Sequence, residues 1–338
     1  MSCEYELQLP DGYRPSMDIF KTEKAIKLLK DEFEDILAKT LALTRVSAPL
    51  FVHPESGLND NLSGVERAVS FDIKGDGSIA EVVHSLAKWK RFALKRYGMS
   101  VGQGLYTDMN AIRRDEVTDN IHSLYVDQWD WEKVITREER TVDMLKIIVK
   151  QIYGVFRSVE AIVCGQYPML TPKLPESITF LTTQELEDRY PDLSSSEREK
   201  AAVKEYGAIF LMQIGGVLRS GKPHDGRAPD YDDWQLNGDI IFYYPLLDRA
   251  FEVSSMGIRV DEESLKRQLA IAGCTDREQL PFQKALLNGE LPLTVGGGIG
   301  QSRLCMFFLN KAHIGEVQAS LWPDEMVEEC AAAGIPLL

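Results

Sequence analysis

The strongest chemical signal in the chain is a glycine run that ends on a cation, Gly296-Gly297-Gly298-Ile299-Gly300-Gln301-Ser302-Arg303. Backbone without Cβ atoms allows close approach of a ligand, and a guanidinium beside it suits phosphate oxygens. A tight helix entry whose arginine pairs with a carboxylate explains the same residues equally well. The run is not G-x-G-x-x-G, because Gln301 stands at the last position. A second candidate is Arg113-Arg114-Asp115-Glu116, followed by Leu124-Tyr-Val-Asp-Gln-Trp-Asp-Trp-Glu132. With the period of a strand, Asp127, Trp129 and Trp131 face one way, and Gln128, Asp130 and Glu132 the other. That polar face beside an arginine is the lining of a pocket, or else a solvated strand face. A third is an acidic hairpin. If Pro245 and Ala250 close a four-residue loop, Asp239 shares a face with Glu252 and Ser254. Two such carboxylates beside a nucleotide suit magnesium, which takes few carboxylates plus phosphate oxygens. Two surface acids of an acidic protein are the plainer explanation.

Other chemistries lack support. Gly216-Val-Leu-Arg-Ser-Gly221-Lys222 fits G-x-x-x-x-G-K, but Pro223 replaces the hydroxyl residue and no helix start follows, so it reads as an ordinary loop. The five histidines, His53, His84, His122, His224 and His313, are scattered. Neither H-E-x-x-H nor G-x-S-x-G occurs. The five cysteines are widely spaced without C-x-x-C, which argues against a disulfide framework or a cysteine zinc site and points to a reducing cytosol.

These residues need elements to hold them. Residues 1–16 read as an irregular arm. From Ile19 an apolar stripe of Ile26, Leu29, Phe33, Ile36 and Leu37 predicts a helix. Arg45–Val52 reads as a strand interrupted by Pro49, which marks an edge or an interface. FDIKGDGSIAEVVHS predicts a hairpin, AKWKRFALKRYG a short basic helix, and Arg140–Glu160 a long helix. SITFL, TQELEDRY and AIFLMQIGG form a strand–helix–strand unit. A loop is expected over Arg219–Gly238, then two strands around PLLDR, a helix opened by the glycine run, and a strand at VQASLWP. Strands in adjacent runs favour an α+β fold, a mixed and mainly antiparallel sheet flanked by helices.

The 338 residues carry 38 Lys plus Arg against 52 Asp plus Glu, a net charge of −14. Broad nucleic-acid binding needs clustered cations and is a poor fit. No apolar run approaches the roughly 20 residues of a membrane span.

Together these segments resemble the class II aminoacyl-tRNA synthetase catalytic domain. Within that class they resemble the ammonia-dependent asparagine synthetase family, relatives of aspartyl- and asparaginyl-tRNA synthetases. The long helix with VSAPLF resembles the first class motif, Arg113 with YVDQWDWE the second, and GGGIGQSRL with Arg303 the third. DNLSG, HSLAKWKR, RAPDYDDW and SSMGIRV add four further strings in order. The resemblance covers roughly residues 19–338 and implies one catalytic domain there, an arm at 1–18, no anticodon-binding domain, a homodimer, and a cytoplasmic enzyme without nucleic-acid or membrane partners. The implied reaction joins L-aspartate and ammonia with ATP through a β-aspartyl adenylate.

The implied roles are as follows. Arg113 would hold the α-phosphate, with adjacent Arg114 an alternative. Arg303 would hold the β- and γ-phosphates beside Gly298. Asp239 and Glu252 would bind Mg2+. Lys90 and Arg259 would clamp the non-reacting carboxylate of aspartate, with Ser255 also lining that pocket. Asp60 and Gln128 would meet the amino group and the acyl site, and Asp127, Asp130 and Asp232 would lie near the ammonia. A tRNA synthetase paralogue and a non-catalytic amino-acid or nucleotide sensor are the competing classes. The short N-terminal arm and the acidic charge weigh against the first, and the retained arginines and carboxylates against the second.

Overall fold

The computed structural model describes residues 5–59 and 66–338. Asp18 caps the first helix, α1 (Ile19–Leu41), by accepting from the backbone N–H of Lys21 at 2.8 Å. The expected stripe is buried, with Ile36 at its margin. The strand expected across Pro49 is two strands in two sheets, β1 (Leu43–Arg45) and β2 (Phe51–Val52). Proline cannot donate to a ladder, and the chain changes sheets there. The predicted hairpin is β3 (Ser70–Asp72) and β4 (Ile79–Val82), which pair with β2 as a small sheet. Its turn needs Gly77 in the left-handed region, at φ 72°. The short basic helix is α2 (Ala87–Arg96).

The main sheet adds β5 (Gly104–Ile112), β6 (Tyr125–Val134), β7 (Thr179–Thr182), β8 (Ala208–Met212), β9 (Asp232–Tyr244), β10 (Arg249–Arg259) and β11 (Thr294–Gly300). Its order is β1-β5-β6-β11-β10-β9-β8-β7. The outer pairs β1/β5 and β7/β8 are parallel and the rest antiparallel, in line with the α+β expectation. The helices are α3 (Val142–Gln166), α4 (Thr183–Arg189), α5 (Ser195–Tyr206), α6 (Glu262–Ile271), α7 (Pro281–Leu287), α8 (Gln301–Phe308) and α9 (Asp324–Ala332).

Several local expectations change. The glycine run is a sheet strand, β11, and only its last residue caps α8. The loop after Arg219 ends at Tyr231, because β9 starts at Asp232 rather than after Gly238. VQASLWP joins no strand. A single 3-10 turn, Ile314–Glu316, precedes it, and the chain end pairs there through Leu338 N to Gly315 O at 2.8 Å. The discarded G-x-x-x-x-G-K segment is a turn closed by Leu218 N to Lys222 O at 2.9 Å.

One face of the sheet carries the main core. Trp129 and Trp131 are buried there beneath α1, α3 and α8, with Phe33 stacked on Trp129 at 4.6 Å between ring centroids. The opposite face is flanked by α2 on one side and α5 on the other. The sheet centre on that face is left as a floor. The arm lies across the 118–120 loop, with Glu6 N bonding to Thr118 O at 3.1 Å and Gln8 N to Asn120 Oδ1 at 2.7 Å. Cys164, Cys274, Cys305 and Cys330 are free thiols, and Cys3 lies outside the described residues. Among the described residues no helix is long and apolar enough to cross a membrane.

Candidate active site

The floor is built by absence of side chains. Gly296, Gly298 and Gly300 of β11 lie across from Glu132, Asp130 and Gln128 of β6. A β-carbon at Gly298 would come within 2.4 Å of Gln128 Oε1, and one at Gly296 within 2.1 Å of Glu132 Oε2. Gly297 points the other way, where a β-carbon would meet Met256 at 2.5 Å. The glycines therefore make room for the polar face of β6, which a ligand alone would not explain.

Two adjoining cavities, about 190 and 320 Å3, open on this floor. They share one wall: Arg113, Gln128, Glu252, Ser255 and Gly298. Arg303 lines the first; Lys90, Asp130, Asp232 and Arg259 line the second. The candidates predicted from sequence thus converge, apart from two. Asp60 lies outside the described residues. Asp239 faces neither cavity directly, because Arg227 covers it.

Arg113 follows β5 and reaches the shared wall, whereas Arg114 lines neither of these cavities. The Nε of Arg113 is buried without a hydrogen-bond partner, and its ion pair with Glu116 is long, at 3.8 Å. Arg303 leaves the first turn of α8 and donates to the carbonyl of Glu252 at 2.9 Å. That turn is held by Asp127, whose Oδ1 accepts from Ser302 N at 3.0 Å while Oδ2 pairs with Lys30 at 3.1 Å. Gln318 Nε2 also donates to Asp127, at 3.3 Å. Asp127 thus anchors the start of α8 and lines the first cavity, not the second, where Asp130 and Asp232 lie.

The second cavity rests on a buried ion network. Arg259 donates to Glu132 through Nε at 3.0 Å and through Nη2 at 2.8 Å, and pairs with Asp232 through Nη1. Thr294 Oγ1 donates to Glu132 at 2.6 Å. Lys90, 1% exposed, donates to the carbonyls of Trp131 at 3.0 Å and Gly297 at 3.2 Å and pairs with Asp130 at 3.2 Å. Both expected clamps therefore already have anionic partners. Burial disfavours the Glu132 charge, but Arg259 and Lys90 outweigh it and hold that carboxyl below its usual range. Asp232 goes the other way. Burial raises it more than Arg259 lowers it.

The hairpin of β9 and β10 closes with Tyr244 opposite Arg249, so the four-residue loop is kept but starts one residue earlier than expected. Parity is unchanged, so Glu252, opposite Ile241, keeps the face of Asp239. A bulge between Glu252 and Ser254 then shifts the phase. Ser255, not Ser254, lies opposite Asp239, and Ser254 faces the buried Ile240. Burial pushes the Asp239 carboxyl well up, Arg227 opposes this, and Glu252 adds to it. Asp239 Oδ1 is buried with no hydrogen-bond partner. That orphaned oxygen beside a second carboxylate fits a divalent cation. Among the described residues no three His, Cys, Asp or Glu groups gather around a metal position, so further ligands would be water or phosphate oxygens.

A family profile for aspartate-ammonia ligase matches residues 20–334. The chain belongs to the aspartate–ammonia ligase family. A relative from Ruminiclostridium cellulolyticum, named aspartate–ammonia ligase, is 67% identical over 97% of this chain and 98% of its own length. Another of that name, from Clostridium perfringens strain 13, is 63% identical over 98% and 99%. Among solved structures, asparaginyl-tRNA synthetase of Entamoeba histolytica with asparaginyl-adenylate aligns at TM-score 0.65 and 13% identity, over 89% of this chain and 66% of that one. The Pyrococcus horikoshii asparaginyl-tRNA synthetase with asparaginyl-adenylate aligns at 0.63 and 16%, over 90% and 70%. These place the ligase family fold in the class II synthetase catalytic architecture.

Glu132, Arg227 and Tyr231 were missed as site residues in the sequence. Glu132 had a visible signal, its phase with Gln128 and Asp130. Arg227 lies in a turn-rich loop and meets Asp239 only through the fold. Tyr231 stands 5.9 Å from the Arg259 guanidinium, ring centroid to Cζ, at the start of β9.

Proposed function

We propose that the two cavities sharing one wall are the nucleotide and aspartate halves of a single adenylating site. As an aspartate–ammonia ligase, this chain makes L-asparagine from L-aspartate, ammonia and ATP and releases AMP and pyrophosphate. The observation that carries the site reading is the wall itself, with Arg113, Gln128 and Glu252 open to both sides. A transferred group has to sit where both halves meet.

The side-chain carboxylate of aspartate attacks the α-phosphorus, the bond to pyrophosphate breaks, and a mixed anhydride forms. The ammonia lone pair then attacks the acyl carbon, the C–O bond to AMP breaks, and the nitrogen gives up a proton. Adenylation is needed because a free carboxylate is a poor acyl donor. Arg113 holds the α-phosphate with its unpartnered Nε, and Arg303 the outer phosphates. Arg259 orients the non-reacting carboxylate through the N–H donors left over from Glu132 and Asp232, and Lys90, whose three donors already meet Trp131, Gly297 and Asp130, adds its charge to that pocket. Gln128 holds the acyl oxygen. Asp130 and Asp232 lie on the ammonia side, and Ser255 on the shared wall. Asp60 would meet the amino group. Asp239 and Glu252 would hold Mg2+, which would neutralise phosphate charge there.

Residues 19–338 act as one catalytic domain, supported by a single eight-stranded sheet. The working form is a homodimer, supported by the exposed apolar side chains of Ile19, Phe20, Leu50 and Phe51 around α1 and β2. Its free thiols support a cytoplasmic location. The deciding assay follows AMP and asparagine from ATP, aspartate and ammonium without tRNA. Asparagine in step with AMP is expected. AMP without asparagine would refute the reaction.

A further inference from the structure

Arg227 belongs to the loop that ends at β9, and its side chain is 15% exposed. Its Nη2 pairs with Asp239, and Glu252 adds to the field that keeps its charge on. Its Nε is buried with no hydrogen-bond partner. The neighbouring loop residues Asp225, Gly226, Ala228 and Tyr231 roof the aspartate-side cavity. The guanidinium therefore pairs with one of the two carboxylates that the previous section assigns to Mg2+ and feels the charge of the other. It is a fixed cation on a loop, in the place of an exchangeable one.

We propose that Arg227 is a stand-in counter-ion for Asp239 and Glu252, displaced when a divalent metal–nucleotide complex binds. Two carboxylates on one face, Asp239 buried and Glu252 half-buried, repel each other and need a nearby positive charge. A guanidinium supplies it with planar, directed donors. A metal ion supplies it more compactly, and both cannot use the same oxygens of Asp239. Loading the site would thus release Arg227, and with it the loop that roofs the aspartate pocket. The exchange ties the freedom of that loop, and so access to the aspartate pocket, to arrival of the nucleotide.

This rests on the reading of Asp239 and Glu252 as the metal pair, and the experiment separates the two. Mn2+ is the probe, followed by electron paramagnetic resonance on the full chain without ATP. Arg227→Met should bind Mn2+ about tenfold or more tightly than wild type, since a competing charge is gone. Arg227→Lys keeps a charge and should stay weak, which controls for misfolding. Adding Asp239→Asn to Arg227→Met should erase the gain. Equal affinity in wild type and Arg227→Met, or a gain that survives Asp239→Asn, would overturn the exchange. If wild type binds no Mn2+ even with a non-hydrolysable ATP analogue, the metal pair itself fails. If it binds with the analogue but Arg227→Met gains nothing without it, only the role of Arg227 fails.

Discussion

Gly296 sits directly opposite Glu132, so close that a β-carbon would lie 2.1 Å from Glu132 Oε2. The same carboxylate holds Arg259 and Thr294, at 2.8 and 2.6 Å. A missing side chain on one strand thus makes room for the buried ion network beneath the second cavity.

Gly296→Ala should therefore fail through Glu132. Displacing it uncouples a buried ion pair, at about 3 kcal/mol or more. Thermal unfolding should show a fall in Tm, and the surviving activity a raised KM for aspartate. A Tm within a degree or so of wild type would contradict this.

Arg259→Ala should do more than weaken aspartate binding, the effect expected from sequence. It leaves Glu132 and Asp232 buried without their partner, a cost of about 3–5 kcal/mol. Urea unfolding will show whether stability falls along with aspartate affinity. Loss of affinity alone would mean that the pocket relaxes around the missing cation.

Arg303→Ala should separate catalysis from folding. Its bond in this structure is to one partly buried carbonyl, that of Glu252. Stability should hold while kcat/KM for ATP falls roughly 30- to 1000-fold, about 2–4 kcal/mol of lost phosphate stabilisation. Steady-state kinetics at saturating aspartate and ammonium test it, and full turnover would remove Arg303 from the nucleotide site.

His313 predicts acid lability. Burial lowers its pKa from 6.5 to about 4, with Asp119 opposing. Its Nδ1 accepts from Gly315 N at 3.0 Å, so a second ring proton would face a donor. Between pH 6.5 and about 4 the unfolded chain binds the extra proton and the folded chain does not. Stability therefore falls as pH drops through that window, by at most about 3 kcal/mol. His313→Asn should flatten that part of the pH–stability curve, and an unchanged slope would assign the loss to other groups.

Leu50→Asp with Phe51→Glu should shift the chain toward monomer in sedimentation, if the apolar surface near β2 is buried between copies. An unchanged dimer would move the interface elsewhere.

By itself, the sequence determined the features that depend on short-range periodicity. The stripe of α1, the basic α2, the hairpin of β3 and β4, and the division of β6 into a tryptophan face and a polar face all follow from residues within a turn or two of one another. The family motifs named most of the residues that line the two cavities for the same reason, since each is a contiguous string. Tertiary structure alone decided the charge pairing. Glu132 and Arg259 are 127 residues apart, and Lys90 and the Gly297 carbonyl 207 apart. Their meeting depends on placing β11 between β6 and β10. The bulge after Glu252 chose Ser255 over Ser254, a one-residue phase change that no alternation pattern announces. Arg227 reached Asp239 because a loop folded back over its own strand, a geometry set by what the loop packs against rather than by its composition.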